Sequence, residues 1–356
     1  MSGGGFTGRR LLAAAWLALC GCVIGTLAGE VALRFERRRL LPQAARFGSA
    51  NAFLQGPGMG VVKGLWAEER VAYQPGALIS FTLNDQLHEV RINSRGFRTR
   101  EFAVPKPAGL VRVACIGAST TFQGFANEET YPALLEARLR ELRPDLALEA
   151  LNLGVSGTHA DFWLGRLDAL FALEPDVVVQ YNAVNDFVQL HLPNWARAHP
   201  KKAALHGRLL LWDRFVPLAA ADFDAPSRQT LAHQLRLRDA CRERGIAYVT
   251  ATFAAPDPAS AEPAFLLFLD SLTRDWTGGV VQHYRQYERL LARHNARLEE
   301  VARQVGIPLA PAAATLRPAR LYFDICHLKP HGLKKLAQAF AAPVASLLPP
   351  PVASAR

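Results

Sequence analysis

The stretch Val111-Arg-Val-Ala-Cys-Ile-Gly-Ala-Ser-Thr-Thr121 predicts a buried strand that ends in a tight turn. Its first half is apolar and rich in β-branched residues, which is typical of a parallel strand covered on both faces. Because α/β sheets bind their ligands at the carboxyl ends of parallel strands, Ser119 lies where a functional residue is expected. An ordinary strand-to-helix turn would be the better explanation of a lone serine, so the rest of the chain has to decide.

Strands and helices alternate from this stretch to the end of the chain. The pattern predicts strands at residues 111–117, 147–152, 176–182, 246–252 and, least distinctly, 307–310, and helices at 129–142, 160–172, 228–244, 282–304 and 332–347. Such alternation implies right-handed βαβ crossovers and a parallel sheet with helices on both faces. We therefore expect an α/β fold of three layers around a five-stranded parallel sheet.

Two long stretches interrupt this rhythm, at residues 186–227 and 254–281. Both follow predicted strands at the edge of the sheet where Ser119 lies, and loops of this length are usually functional or disordered. The second stretch contains Phe265-Leu-Leu-Phe-Leu269. This apolar run could be a lid over an acyl group or a short buried helix, and the sequence leaves both open.

The charge of the chain is concentrated near its N-terminus. The 356 residues are 50% hydrophobic, enough for one large domain with extensions, and the net charge is +10. Residues 1–50 hold seven arginines against two glutamates, which is +5 and half of the total. This clustering favours a segment beside a membrane, and no basic motif interleaved with aromatic residues elsewhere indicates a nucleic-acid partner.

An apolar run of 18 residues at 11–28 is near the minimum length for a membrane span. A retained anchor, a signal peptide cleaved after Thr26-Leu-Ala28 and a lipoprotein signal at Leu19-Cys-Gly-Cys22 all remain open. We favour the anchor because the run exceeds a usual signal core and the helical pattern continues through Glu30-Val-Ala-Leu-Arg-Phe35.

The arginines beside this run conflict with export of the catalytic domain. Arg34 and the arginines at 37–39 outnumber Arg9 and Arg10, so charge alone would leave the C-terminal side in the cytoplasm. An interfacial helix continuing to about Leu41, with its arginines on anionic headgroups, would reconcile the two. We expect a periplasmic or other extracytoplasmic catalytic domain.

Composition divides the chain into four segments. We expect a membrane anchor with its basic flank at 1–40, a lead-in with short strands at 41–108, a catalytic domain at 109–348 and a tail at 349–356. In the lead-in, Gln55-Gly-Pro-Gly-Met-Gly60 is typical of a loop, and Glu89-Val-Arg-Ile-Asn93 alternates like a strand.

A serine nucleophile needs a base, a group that orients the base, and donors for the oxyanion. Asp324-Ile-Cys-His327 precedes the last predicted helix, and its spacing lets the carboxylate of Asp324 reach the imidazole of His327. The same residues could simply cap that helix.

Two further segments follow strands at the same edge of the sheet. Tyr181-Asn-Ala-Val-Asn-Asp186 offers an asparagine amide, and Asn152-Leu-Gly-Val-Ser-Gly157 offers a glycine whose N–H can approach a ligand closely. Each could also be a plain turn, but four polar segments at one sheet edge favour a site.

These four segments resemble, in order, the motif blocks of the SGNH hydrolase superfamily, also called the GDSL esterase/lipase family, across roughly residues 85–345. The resemblance implies a flavodoxin-like fold, with Ser119 as nucleophile, His327 as base and Asp324 as its orienting acid. It also implies an oxyanion hole made by Ser119, Gly157 and Asn185. Asn93-Ser-Arg-Gly-Phe-Arg98 is similar to the segment before the catalytic domain in membrane-anchored bacterial members.

The chain departs from this pattern at two positions that carry no chemistry. Ala118 stands where the family usually has aspartate, and Ala183 where it usually has glycine. The second glycine of an α/β-hydrolase nucleophile elbow is absent after Ser119, which argues against that fold.

The expected activity is therefore serine-dependent hydrolysis of an acyl or acetyl ester carried by a small molecule or a glycan. An O-acyltransferase acting on an envelope polysaccharide and an inactive glycan-binding module are the alternatives. We expect no cofactor and no metal, because His159, His191, His199 and His206 show no ligand spacing and fit surface or loop positions. The five cysteines form no disulfide framework, and Cys326 is expected to be a packed thiol.

Overall fold

A computed structural model describes residues 5–55, 73–83, 86–205 and 220–350. Its main sheet has five parallel strands in the spatial order β4-β3-β5-β6-β7. Their bounds are Leu110–Gly117 for β3, Ala147–Gly154 for β4, Val177–Tyr181 for β5, Ala247–Ala251 for β6 and Leu309–Ala310 for β7. All five predicted strands are confirmed to within two residues.

This order is that of a flavodoxin-like, doubly wound sheet. β3 is the first strand of the sheet along the chain, and it lies between the second, β4, and the third, β5. The chain leaves β3 toward β4 on one side and later returns to pair β5 on the other. The crevice at such a switch point is the usual ligand position of open α/β sheets. Ser119 follows β3 directly and therefore stands at this crevice.

Eleven α-helices occur in the described part of the chain. They are α1 Gly5–Gln55, α2 Ser119–Phe122, α3 Tyr131–Leu142, α4 Leu167–Phe171, α5 Leu192–Ala198, α6 Pro200–Leu205, α7 Ala220–Arg242, α8 Pro263–Trp276, α9 Tyr284–Val305, α10 Ala312–Thr315 and α11 Pro330–Ala345. Single helical turns at Asn127–Glu129, Leu164–Arg166 and Ala319–Leu321 and a π-helix at Asp186–His191 complete the described helical segments.

The two faces of the sheet bury separate cores, as the alternation of side chains along a strand requires. On β3, Val113 and Cys115 belong to the larger core, which includes side chains of α3 and α11. Ala114 and Ile116 point to the other face and join a core that includes α7 and the segment before β3. The three-layer α/β/α fold is thus confirmed.

Three expectations about helices and loops are wrong. The helix expected at 160–172 is reduced to the turn Leu164–Arg166 and the short α4, because Gly165 breaks the run. The described part of the 186–227 stretch is helical rather than a loop, and α7 begins eight residues before the predicted position. The 254–281 stretch, for which the sequence left a short buried helix open, contains α8.

The apolar run at 265–269 is a buried helix and not a lid. Phe265, Leu267, Phe268 and Leu269 lie within α8 and are at most 8% exposed. Of the two interpretations that the sequence left open, burial within a helix is the one confirmed.

The N-terminal helix α1 runs without a break through the expected border at residue 40. Residues 12–28 are exposed along their whole length, and Leu12–Phe47 is the one described helix long and apolar enough to cross a membrane. A signal sequence would satisfy the same criterion. The expected loop at 56–60 and the tail from 351 lie outside the described residues.

The lead-in contributes a two-stranded antiparallel hairpin, β1 (Leu78–Leu83) and β2 (Gln86–Arg91). Tyr73, Ile79 and Ile92 form a small core with Phe122 and Val155, which flank the sheet edge that carries Ser119. The lead-in therefore packs against the candidate site.

Candidate active site

The turn that carries Ser119 is pressed tightly against the end of the neighbouring strand. Ser119 is the first residue of α2, and Val155 N–H donates to Gly117 C=O at 2.9 Å, which ties the end of β4 to the end of β3. A Cβ atom on Gly154 would lie 2.4 Å from the backbone nitrogen of Phe122. Only glycine fits there, so the backbone itself fixes where Ser119 stands.

Asp324, His327 and Ser119 form a continuous hydrogen-bonded chain. His327 Nδ1 lies 2.6 Å from Asp324 Oδ2, and His327 Nε2 lies 2.9 Å from Ser119 Oγ. The other oxygen of Asp324 accepts the backbone N–H groups of Cys326 at 2.8 Å and His327 at 2.7 Å. The carboxylate is therefore locked by the same loop that it orients.

The electrostatics of this loop favour an ionised Asp324. Burial alone would raise the pKa of this carboxyl, but the charge of His327 and the hydrogen bonds from His327 and Cys326 outweigh it and hold the pKa below its usual value. An ionised, fully buried carboxylate beside Nδ1 favours the tautomer that leaves Nε2 free to accept a proton from Ser119.

Asp324, Cys326 and His327 are also the one group in the described ranges with three metal-type donor atoms within 4.8 Å of one another. Two of those donors already hydrogen-bond each other. Burial and the charge of Asp324 raise the pKa of the Cys326 thiol well above its usual value, so it does not readily form a thiolate ligand. Proton chemistry explains the arrangement better than a metal does.

A glutamine that sequence reasoning missed joins the serine turn to the histidine loop. Gln123 is 4% exposed, and its backbone N–H donates to Ser119 C=O at 2.8 Å. Its side-chain Nε2 donates to Leu328 C=O, and its Oε1 accepts Leu328 N–H at 3.1 Å. The residue after His327 is thereby fixed relative to the residue that carries Oγ.

The two remaining candidates lie on loops that contact each other. Asn185 Nδ2 donates to Thr158 C=O at 2.9 Å, which joins the segment after β5 to the loop that contains Gly157. Gly157 has φ +80°, a backbone conformation that favours glycine. Among the described residues, the backbone N–H groups of Ser119 and Gly157 have no hydrogen-bond acceptor. The edge thus offers free donors.

The lead-in supports both loops from behind. The guanidinium of Arg98 is fully buried and donates to Phe122 C=O at 2.8 Å, Gly124 C=O at 2.9 Å and Ala126 C=O at 3.0 Å. Burial lowers its pKa to about 9, so Arg98 remains charged at neutral pH. Arg98 is part of the segment at 93–98 that resembles a family segment, but the resemblance implied no role for its side chain.

Tyr73 acts in the same way on the other loop. Its hydroxyl accepts Ser156 N–H at 2.8 Å, next to Gly157, and its ring lies 4.8 Å from that of Phe122. Burial raises the pKa of Tyr73 to about 12, and the hydroxyl therefore stays protonated.

An aromatic residue from α8 lies next to His327. The ring of Trp276, the last residue of α8, lies 6.3 Å from that of His327 in an edge-on arrangement. Trp276 is half-buried. The indole therefore packs beside the imidazole, and nothing in the local sequence around it indicated this.

Two of the other histidines named from the sequence lie apart from Ser119, Asp324 and His327. His191 was expected on a loop or the surface, but it is buried in the π-helix, where Nε2 lies 3.2 Å from Thr230 Oγ1. Burial lowers its pKa to about 4. His199 is exposed and stacks on Trp195, while His206 lies outside the described residues.

No family model and no curated protein matches the chain. Solved structures that match include a putative lipolytic protein of the G-D-S-L family from Desulfitobacterium hafniense, at 15% identity over 67% of this chain and 99% of that one, with a TM-score of 0.41. An acetylxylan esterase from Geobacillus stearothermophilus matches at 17% identity over 66% and 94%, with a TM-score of 0.39. A GDSL-like lipase from Bacteroides thetaiotaomicron matches at 13% identity over 67% and 89%, with a TM-score of 0.40.

Proposed function

We propose that the protein is a serine-dependent carboxylic ester hydrolase of the SGNH type. The observation that carries the proposal is the chain of contacts from Asp324 Oδ2 through His327 to Ser119 Oγ, with distances of 2.6 and 2.9 Å. Nucleophile, base and orienting acid have the mutual geometry that acyl transfer to a serine requires.

In this mechanism His327 Nε2 takes the proton of Ser119 Oγ as the oxygen attacks the ester carbonyl carbon. The imidazolium that forms is stabilised by the carboxylate of Asp324, which stays ionised. His327 then returns the proton to the leaving alcohol, and an acyl-serine remains. Water, activated by the same Nε2, attacks the acyl-serine and releases the carboxylic acid.

The oxyanion is held in this proposal by the backbone N–H groups of Ser119 and Gly157 and by the side-chain amide of Asn185. The bond from Asn185 to Thr158 uses one amide hydrogen and leaves the second for the ligand. Donors fixed before the reaction stabilise developing negative charge without reorganisation, which is usually the largest single contribution to such catalysis.

The test is hydrolysis of short-chain nitrophenyl esters by the full chain in detergent. Ser119→Ala should lose the activity and also the labelling by a fluorophosphonate probe. Ser346→Ala is a matched control, because Ser346 is an exposed serine whose hydroxyl contacts only the C=O of Pro343, and it should behave as wild type. Equal rates for wild type and Ser119→Ala would refute the proposal.

The same acyl-serine could be passed to a sugar hydroxyl instead of water. Product analysis with a polysaccharide acceptor present distinguishes the two, since only free carboxylic acid is formed by a hydrolase. An inactive glycan-binding module would show neither product nor Ser119 labelling.

We also propose that residues 11–28 are retained as a membrane anchor and that the catalytic domain lies outside the cytoplasm. The exposed apolar surface of residues 12–28 supports the anchor. A C-terminal alkaline phosphatase fusion should be active and a green fluorescent protein fusion dark. The reverse pattern would place the domain in the cytoplasm.

A further inference from the structure

The second half of α1 packs on the catalytic domain through one narrow stripe. The stripe residues follow one another at alternating steps of three and four positions, and they are buried or half-buried, whereas the residues between them are exposed. They are Glu30, Leu33, Arg37, Leu40, Ala44 and Phe47. Such spacing keeps side chains on a single face of a helix. The Phe47 ring lies 4.9 Å from Phe265 and 5.9 Å from Phe268, so the stripe contacts α8.

Beside this stripe lies a groove of about 410 Å³ between α1, α8 and the start of α9. Its apolar part is formed by leucines from both sides, Leu33 and Leu40 of α1 and Leu266 and Leu267 of α8. Covering apolar side chains with apolar groups is favourable because it removes their surface from water, so methylene groups would be the natural occupant of this part.

The remainder of the groove is rich in arginine. Arg37, Arg285 and Arg289 line it together with two acids, Glu36 and Asp270. Asp270 already accepts Tyr284 N–H at 2.7 Å and lies 3.5 Å from His283. Three guanidinium groups and two carboxylates therefore leave the rim with a net charge of +1. Arg285 Nη2 donates to Pro258 C=O at 3.4 Å and Arg289 Nε to Arg285 C=O at 3.3 Å, and the other N–H groups of these two guanidiniums are donors suited to a phosphate.

The position of the groove along α1 relates it to the bilayer. Leu33 lies five residues after the apolar run ends at Ala28, which is about 7–8 Å at the rise of an α-helix. The polar headgroup layer on each side of a bilayer is about 5–7 Å thick. With residues 11–28 in the membrane, Leu33 and the end of the groove that it lines therefore lie at the outer edge of the headgroup layer.

We propose that this groove binds an anionic phospholipid of the surrounding membrane. The phosphate lies against Arg285 and Arg289, and the glycerol and first methylenes lie on Leu33 and Leu266. The proposal rests on the retained anchor proposed above but not on the hydrolytic activity. The outward arginines of α1, which include Arg38 and Arg39, would then reinforce the same surface without forming the site.

The experiment uses the full chain in detergent, with thermal unfolding followed as phosphatidylglycerol or phosphatidylcholine of the same acyl chains is added. We expect phosphatidylglycerol to raise Tm by about 3–5 °C and phosphatidylcholine to raise it by less than about 1 °C. The double variant Arg285→Gln/Arg289→Gln should lose this stabilisation. The control Arg38→Gln/Arg39→Gln removes the same charge from the outer side of α1 and should keep it.

Several results would overturn the proposal. Equal shifts with both lipids would mean that no headgroup is recognised, and equal losses in both double variants would mean diffuse electrostatic attraction. A shift of the same size with inorganic phosphate alone would mean a phosphate site rather than a lipid site. Mass measurement of the purified chain shows separately whether residues 1–28 are present, and nitrophenyl ester hydrolysis, which both double variants should retain, reports separately on Ser119.

Discussion

The side-chain amide of Gln123 hydrogen-bonds to both the C=O and the N–H of Leu328, a residue 205 positions further along the chain. Because Gln123 also closes the turn begun by Ser119, the serine and the histidine that exchange a proton in the proposed mechanism are joined by a second, purely structural connection. A deviation of about 1 Å between such groups can reduce a rate about a hundredfold, so this connection has a kinetic value.

Gln123→Ala should therefore reduce kcat by about ten- to a hundredfold and leave KM nearly unchanged, because the residue positions His327 without touching the substrate. It should also lower the free energy of unfolding by about 1–3 kcal/mol, since the buried N–H of Leu328 loses its partner. Steady-state kinetics and urea denaturation measure the two effects. Gln304→Ala is the control, because Gln304 is exposed and contacts only Glu300. An effect on KM alone would contradict the positioning role.

Asn185→Ala should reduce kcat by about 10²–10³ as one oxyanion donor is lost. Asn295→Ala is a suitable comparison, because this buried asparagine holds Phe253 N–H and C=O at 2.8 and 2.9 Å. Both variants should lose stability, but only Asn185→Ala should lose activity per folded molecule, measured against fluorophosphonate-titrated sites. Similar activity in the two variants would remove Asn185 from the mechanism.

Arg98→Lys should lower the free energy of unfolding by about 3 kcal/mol or more. A lysine ammonium cannot reach three carbonyl groups in the fork geometry of a guanidinium, so buried acceptors behind the serine turn would be left unpaired. Chemical denaturation measures the loss. Arg91→Lys, at an exposed side chain of the same lead-in, should stay within about 0.5 kcal/mol of wild type. Equal stability of the two variants would show that the lead-in does not support the site.

Asp186 makes the stability of the protein depend on pH in a direction opposite to most carboxylates. Burial raises its pKa from 3.8 to about 7, despite the N–H of Ala160 that it accepts at 3.1 Å. The unfolded chain therefore ionises this group first, and folding stability falls as the pH rises from about 4 to about 7. Asp186→Asn should be more stable than wild type by a few kcal/mol at pH 8, with a smaller or no advantage at pH 4. Urea denaturation at both pH values tests this, and an advantage that does not change with pH would contradict it.

The sheet could be predicted because its strands are mostly apolar and are buried on both faces. Ser119, Asp324 and His327 could be proposed because one short motif follows β3 and another, with a spacing of three residues, precedes α11. The helices at 186–198 were missed although Phe187, His191 and Trp195 recur at helical spacing and are buried. Pro193 and the polar residues among them conceal that periodicity from a reading by composition.

Contacts between distant parts of the chain were beyond any local pattern. Neither Gln123 nor Leu328 carries a signal of their pairing, and the Arg98 side chain could as well have been a solvated charge. The stripe of α1 includes Glu30 and Arg37. Because these residues are charged, the helical spacing of the stripe is not apparent from an apolar pattern, and the segment resembles a basic flank. Tertiary packing decides such positions, and a single sequence does not record it.

Helix α8 touches the stripe of α1 along its length and the imidazole of His327 at its end. With the anchor retained, no flexible linker separates the bilayer from Ser119 along this connection, because α1 leaves the membrane as one continuous helix and packs directly on the domain. Such an enzyme diffuses laterally in the membrane, and Ser119 stays at a constant distance above the lipid surface. An ester at any other distance from the membrane is reached only if the molecule that bears it brings the ester to that level.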